Sequence, residues 1–137
     1  MDCITECIYI GNHVEAHDDA VLKENGICSV LSLYGSYVGK ESSSQQAKQI
    51  YAVELIDGAG NSIQSLRNLT AELIRMSEEH PPVLIHCHAG RSRSVAAAAA
   101  FLVIKHKLLP AEAIALVRKK RDSYLAPELE RLVYQIR

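Results

Sequence analysis

The sequence lacks any long apolar run. The longest extends over ten residues, from Val95 to Ile104, about half of the roughly 20 that a helix needs to span a bilayer. The opening MDCITECIYIGN has neither the basic segment nor the apolar core of a secretory signal. Both absences lead to the expectation of a soluble, cytoplasmic chain with no stable membrane association. An excess of charge of one sign is also missing. The formal net charge is −1, which gives no reason to expect general binding to nucleic acid or to acidic lipid. Paired CxxC spacing is absent, which removes the common structural zinc pattern. There is no internal repeat and no long linker, so residues 1–137 are expected to form a single domain.

What is present has an ordinary globular balance, 48% hydrophobic and 23% charged residues, enough to bury a core without disulfides. Of the four cysteines, Cys3 and Cys7 share one face of a prospective strand and Cys28 lies in the apolar stretch ICSVLSL. All three are expected to pack as small apolar side chains. Cys87 has different surroundings.

Strand and helix patterns alternate along the chain. Short apolar runs predict strands over Cys7 to Ile10, Ile27 to Leu33, Ile50 to Ile56 and Val83 to His86. A helix is expected over Glu15 to Asn25, stopped by Gly26. Gly35 to Gln49 is polar and aperiodic and is expected to be a loop. Leu66, Leu69, Leu73 and Met76 form one stripe of a helix over Ser62 to Glu79, stopped by Pro81 and Pro82. Further helices are expected over Arg93 to His106, Ala111 to Arg121 behind Pro110, and Pro127 to Ile136. Strands apolar on both faces imply an α/β/α sandwich of three layers around a mostly parallel sheet of four to five strands. Ligands bind such sheets beyond the carboxyl ends of the strands, where the loops after Ile56 and His86 lie.

The second of these loops sits in VLIHCHAGRSRSVAAAAAFLVI, residues 83–104. A strand, a tight loop and a helix N-terminus form an anion site, because backbone N–H groups and the helix dipole converge there. Ala89, Gly90 and Ser92 are small enough for the loop to curl around a ligand. Arg93, six positions after Cys87, can turn its guanidinium fork toward two oxygens of a phosphate. The same field favours the thiolate of Cys87, and its pKa is expected to fall from ~8.5 into the activated range of roughly 3.5–7.5. Zinc on His86, Cys87 and His88 is disfavoured, since three consecutive side chains converge poorly on one tetrahedral ion. The Gly-Lys-Ser/Thr ending of a nucleotide-binding Walker loop is missing.

His86 and Cys87, five intervening residues, Arg93 and Ser94 resemble the HCxxGxxRS signature of cysteine-dependent protein tyrosine phosphatases. HCHAGRSRS looks most like the dual-specificity branch, as do IYIGN, NGICSVLSL and the aspartate loop upstream. The resemblance implies a catalytic set of Cys87, Arg93, Asp57, Ser94 and His86. Cys87 would be the nucleophile, Ser94 the hydroxyl that stabilises the departing thiolate, and His86 a support for its ionisation from behind. Breaking a phosphate ester also needs a proton for the leaving oxygen. Asp57 is the candidate acid, 30 residues before Cys87 in a loop with Gly58, Gly60 and Asn61. Substrate-binding residues are expected in the loop itself: His88, Ala89, Gly90, Arg91, Ser92 and Arg93.

The expected activity is hydrolysis of phosphotyrosine and of phosphoserine or phosphothreonine, on phosphorylated protein or peptide substrates, by a monomer using no metal or organic cofactor. His88 and Arg91 could instead add charge that suits a phosphoinositide or another non-protein phosphate monoester. A rhodanese-type sulfurtransferase also places a cysteine in an anion-binding loop, but needs no acid such as Asp57. A phosphate-binding pseudophosphatase would normally have lost the nucleophile, acid or arginine. SYLAPELERL departs from the resemblance, because it lacks the Pro-Asn pair of many dual-specificity members. Asp18, Asp19, Asp122 and the run Arg118 to Arg121 are expected to be solvated charges, the basic run complementing a helix dipole. His13, His17, His80 and His106 are expected to face solvent.

Overall fold

A computed structural model describes residues 1–33 and 49–137. Strands form over Asp2–Thr5 (β1), Ile8–Gly11 (β2), Ser29–Ser32 (β3), Gln49–Ala52 (β4) and Val83–His86 (β5). They make one sheet in the order β1-β2-β5-β3-β4. The last four strands in that order run parallel, and β1 closes one edge antiparallel to β2. Helices form over His13–Ala16 (α1), Asp19–Glu24 (α2), Ile63–Glu79 (α3), Arg93–Lys105 (α4), Pro110–Lys120 (α5) and Pro127–Tyr134 (α6). Among the described residues no helix is long and apolar enough to cross a membrane.

Successive strand residues point to opposite faces, and the two faces are covered unequally. Ile8, Ile10, Leu31, Val83, Ile85 and Cys87 turn into the main core, which α3 to α6 complete. Val30 and Leu84 turn the other way, onto Ala16, Leu22 and Ile27 beneath α1 and α2. This is the expected three-layer sandwich. Its central post is α4, whose residues from Ser94 to Val103 are all buried. Ala96 to Ala100 favour the helix and bring its backbone close to the sheet. Phe101, Leu102 and Val103 fill the space beyond them, each stabilising by roughly 1.5–3 kcal/mol through burial.

Several local expectations are corrected. The helix over Glu15 to Asn25 is two helices, because Asp18 accepts from the N–H groups of Ala20 at 3.0 Å and Val21 at 3.3 Å and so starts α2 afresh. The strand over Ile50 to Ile56 ends at Ala52, although Leu55 N–H still reaches Leu33 O at 3.2 Å. The loop expected over Gly35 to Gln49 lies outside the described residues up to position 48, and Gln49 begins β4. Cys3 is exposed, and Cys7 and Cys28 are half-buried, so none of the three is a fully buried core thiol. The stripe on α3 is as expected: Leu66, Leu69, Leu73 and Met76 are all buried, with Ser62 capping the helix start.

Candidate active site

The parallel pairing fixes where the chemistry lies. Gly11 and Ser32 flank His86 in register, so β2, β5 and β3 end together. Cys87 is the first residue past the central strand, and the chain turns through Ser92 into α4. A cleft of about 650 Å³ opens there, lined by Asp57, Cys87, His88, Ala89, Arg91, Ser92, Arg93 and Tyr124. The fold thus brings Asp57 and Cys87 to one cavity although 30 residues separate them.

Cys87 is 2% exposed. Burial pushes its thiol up, but the Ser94 hydroxyl, the N–H groups of Ser94 and Gly90, and the Arg93 charge together hold it below the ordinary value. Gly90 N–H lies 3.3 Å from Sγ. The Ser94 hydroxyl is fully buried beside this sulfur and, among the described residues, is not engaged by another hydrogen-bond partner. Gly90 cannot be replaced freely. Its φ is +71°, and a Cβ there would lie 2.4 Å from Gly11 O and 2.7 Å from Arg121 Nη2.

Three residues of one segment brace the loop from outside, and sequence reasoning missed them. Arg121 donates from Nε to Gly90 O at 2.7 Å and from Nη2 to Ala89 O at 3.1 Å. Its Nη1 reaches Asp2 Oδ2 at 3.0 Å and Ile10 O at 3.3 Å. Tyr124 N–H donates to Arg91 O at 2.8 Å, and Ala126 N–H to Ser92 Oγ at 3.1 Å. With these carbonyls held outward, the N–H groups of Gly90 and Ser94 turn to the Cys87 sulfur. Arg121 is therefore no solvated helix-end charge, since only 12% of its side chain is exposed. Nothing in the spacing of RKKR distinguishes it from its neighbours. Here the segment after α5 braces the loop without the Pro-Asn pair.

Asp57 is exposed at the rim, and its Oδ1 accepts from Ser92 Oγ at 2.6 Å. Asn61 clamps the same loop, accepting from Ile56 N–H at 2.9 Å and donating to Ile56 O at 2.7 Å and Gly58 O at 3.3 Å. His86 points to the opposite face of the sheet from Cys87. It is fully buried, and because a carbonyl can only accept, Nδ1 donates to Cys87 O at 3.2 Å. Burial lowers its pKa from 6.5 to about 4, with the Cys87 carbonyl opposing and the charges of His17, His13 and Arg93 adding to the fall. The imidazole thus hydrogen-bonds the carbonyl of Cys87 from the far face of the sheet.

The rim carries one further correction. His88 stacks on His13 with ring centroids 4.4 Å apart, and His17 meets His86 edge-on at 5.9 Å. His106 likewise meets Phe101 at 5.6 Å. These three histidines have ring partners and do not simply face water. Arg91 pairs with Asp122 at 3.2 Å, and both side chains stay exposed, so Asp122 remains the solvated charge expected of it. Tyr124, 77% exposed at the cleft mouth, carried no signal in the sequence. Among the described residues no group of three or more His, Cys, Asp or Glu could hold a metal ion.

A buried, ionisable sulfur, inward-facing amides, a guanidinium and a carboxyl on one rim can attack and hold a phosphoryl group. Residues 8–135 match the family model described as dual specificity phosphatase, catalytic domain. The chain belongs to this family. It is 30% identical over 120 residues to dual specificity protein phosphatase PHS1 of Arabidopsis thaliana, covering 85% of this chain and 13% of that protein. It is 32% identical over 108 residues to dual specificity protein phosphatase OPG106 of vaccinia virus, covering 78% and 61%. The chain thus spans less than two thirds of the length of these relatives. The crystal structure of human DUSP28 superposes with a TM-score of 0.87 at 18% identity, covering 99% of this chain and 94% of that one. That of DUSP15 gives 0.84 at 18%, covering 97% and 84%. These two show the shared fold.

Proposed function

We propose that the chain hydrolyses phosphate monoesters of tyrosine, and of serine or threonine, through a phosphocysteine intermediate. The observation that carries this reading is a thiol held below its ordinary pKa in one cleft with Arg93 and Asp57. The thiolate of Cys87 attacks phosphorus, the S–P bond forms and the ester O–P bond breaks. Asp57 gives its proton to the leaving oxygen. Water then attacks, Asp57 takes a proton from it, the S–P bond breaks and inorganic phosphate leaves. Arg93 and the loop amides hold the equatorial oxygens in both steps. Ser94 stabilises the departing thiolate. No step calls for a metal or organic cofactor.

On this reading residues 1–137 are one catalytic domain acting as a cytoplasmic monomer on phosphorylated proteins or peptides. Tyr124 offers an exposed ring face at the mouth to a phosphotyrosine side chain. The pairing of Arg91 with Asp122 offsets one of the two charges that would favour a phosphoinositide. The test is a phosphate-release screen over phosphotyrosine, phosphoserine and phosphothreonine peptides, phosphoinositides and phosphorylated RNA ends, with Cys87→Ser as control. Phosphopeptides are expected to be turned over by the wild type alone. Thiosulfate:cyanide transfer without phosphate release would assign the cysteine to sulfur chemistry instead.

A further inference from the structure

Serine is among the strongest residues for starting a helix, because its hydroxyl accepts from an unpaired N–H of the first turn. Ser92 occupies the N-cap position of α4, yet its side chain makes no cap hydrogen bond. The hydroxyl is used elsewhere. Ala126 N–H donates to Oγ at 3.1 Å, and Oγ donates to Asp57 Oδ1 at 2.6 Å. An amide can only donate, which leaves the hydroxyl's single hydrogen available to Asp57 Oδ1. Ser92 is 8% exposed, so its hydroxyl is largely shielded from water even though Asp57 lies at the exposed rim.

Resting on the phosphatase reading above, we propose that Ser92 is a positioning residue for the general acid Asp57. It ties the acid loop to the cysteine loop before substrate arrives and occupies Oδ1, leaving Oδ2 to carry the proton. As Asp57 donates that proton its carboxyl becomes charged, and a hydrogen bond to a charged acceptor is the stronger kind. The tie therefore tightens along the reaction coordinate. Diverting the hydroxyl also leaves the first N–H groups of α4 uncapped by a side chain, where a phosphate can meet them.

The test compares esters that need an acid with esters that do not. Ser92→Ala is expected to lower kcat on phenyl phosphate on the order of 10-fold, below the ~100-fold that a full 1 Å misplacement costs. On 2,4-dinitrophenyl phosphate, whose leaving group needs no proton, the loss should be several-fold smaller. In an Asp57→Asn background the phenyl phosphate effect should shrink to under about twofold, since no proton remains to be placed. Ser92→Thr, which keeps the hydroxyl, should recover most of the loss. Equal losses on both esters, an undiminished effect beside Asp57→Asn, or no loss at all overturns the role of Ser92 alone. A wild type that cleaves no ester overturns the phosphatase reading, and the role of Ser92 with it.

Discussion

Arg121 Nε lies 2.7 Å from the carbonyl oxygen of Gly90, so a residue at the end of α5 fixes which way the cysteine loop's peptides face. Hydrogen bonds to a charged group contribute about 1.5–3 kcal/mol each, and Arg121 makes two to this loop. Arg121→Ala is expected to reduce phosphate release by roughly 10–100-fold, on the scale of one such bond. Arg121→Lys should recover little, since one ammonium cannot span two carbonyls and Asp2. A lysine variant with wild-type turnover would refute the bracing role.

Gly90→Ala should affect both folding and anion binding. The positive φ alone costs a side chain about 1–2 kcal/mol, and the 2.4 Å approach to Gly11 O must be relieved by moving backbone. Urea unfolding is expected to show a stability loss of at least about 1 kcal/mol. Vanadate inhibition should weaken in parallel. Unchanged vanadate affinity would mean that the loop tolerates the extra carbon.

The Cys87 thiol, held down chiefly by Ser94 and Gly90 against the effect of burial, should alkylate with iodoacetamide at a midpoint below the ordinary ~8.5. Ser94→Ala should move that midpoint upward. The sign for stability follows from linkage. The thiolate's contribution is complete above the unfolded-state value and is lost as pH falls through the lowered folded value. An alkaline midpoint in the wild type would remove the basis of the proposed nucleophile.

His86 gives a second pH signature. Its folded pKa of about 4 lies below the ordinary 6.5, so between these values the unfolded chain binds the extra proton. Stability is therefore full above pH 6.5 and falls as pH drops toward 4, by about 3 kcal/mol for this one group. His86→Asn should flatten that part of the thermal stability profile. The same slope in wild type and variant would show that His86 does not titrate as a buried neutral ring.

The sheet layers, the α3 stripe and the cysteine loop were legible because each rests on local pattern: apolar runs, a 3.6-residue period, and a strand meeting a helix through small residues. Asp57 was legible by its place after a strand. Arg121, Ser92's tie and Tyr124 were not, because their partners lie 31 to 35 residues away and no local period marks such pairing. Asp18 shows the converse. Its capping power is written in the sequence, but Gly26 is a plainer stop signal, so Glu15 to Asn25 reads as one helix. The histidines around the loop were missed for the same reason as Arg121: ring stacking with His13 joins positions far apart in the chain.

The alanines of α4 give the interior no slack. Ala96 to Ala100 are each 0% exposed, and the same rod that they form ends in the amides facing the cleft. A methyl group added along it would overpack the core, a strain of about 1–3 kcal/mol that backbone shifts along the helix would share. Turnover should therefore register crowding deep in the protein sooner than a melting curve does, which makes the alanine run a gauge of how closely packing and reactivity are geared together.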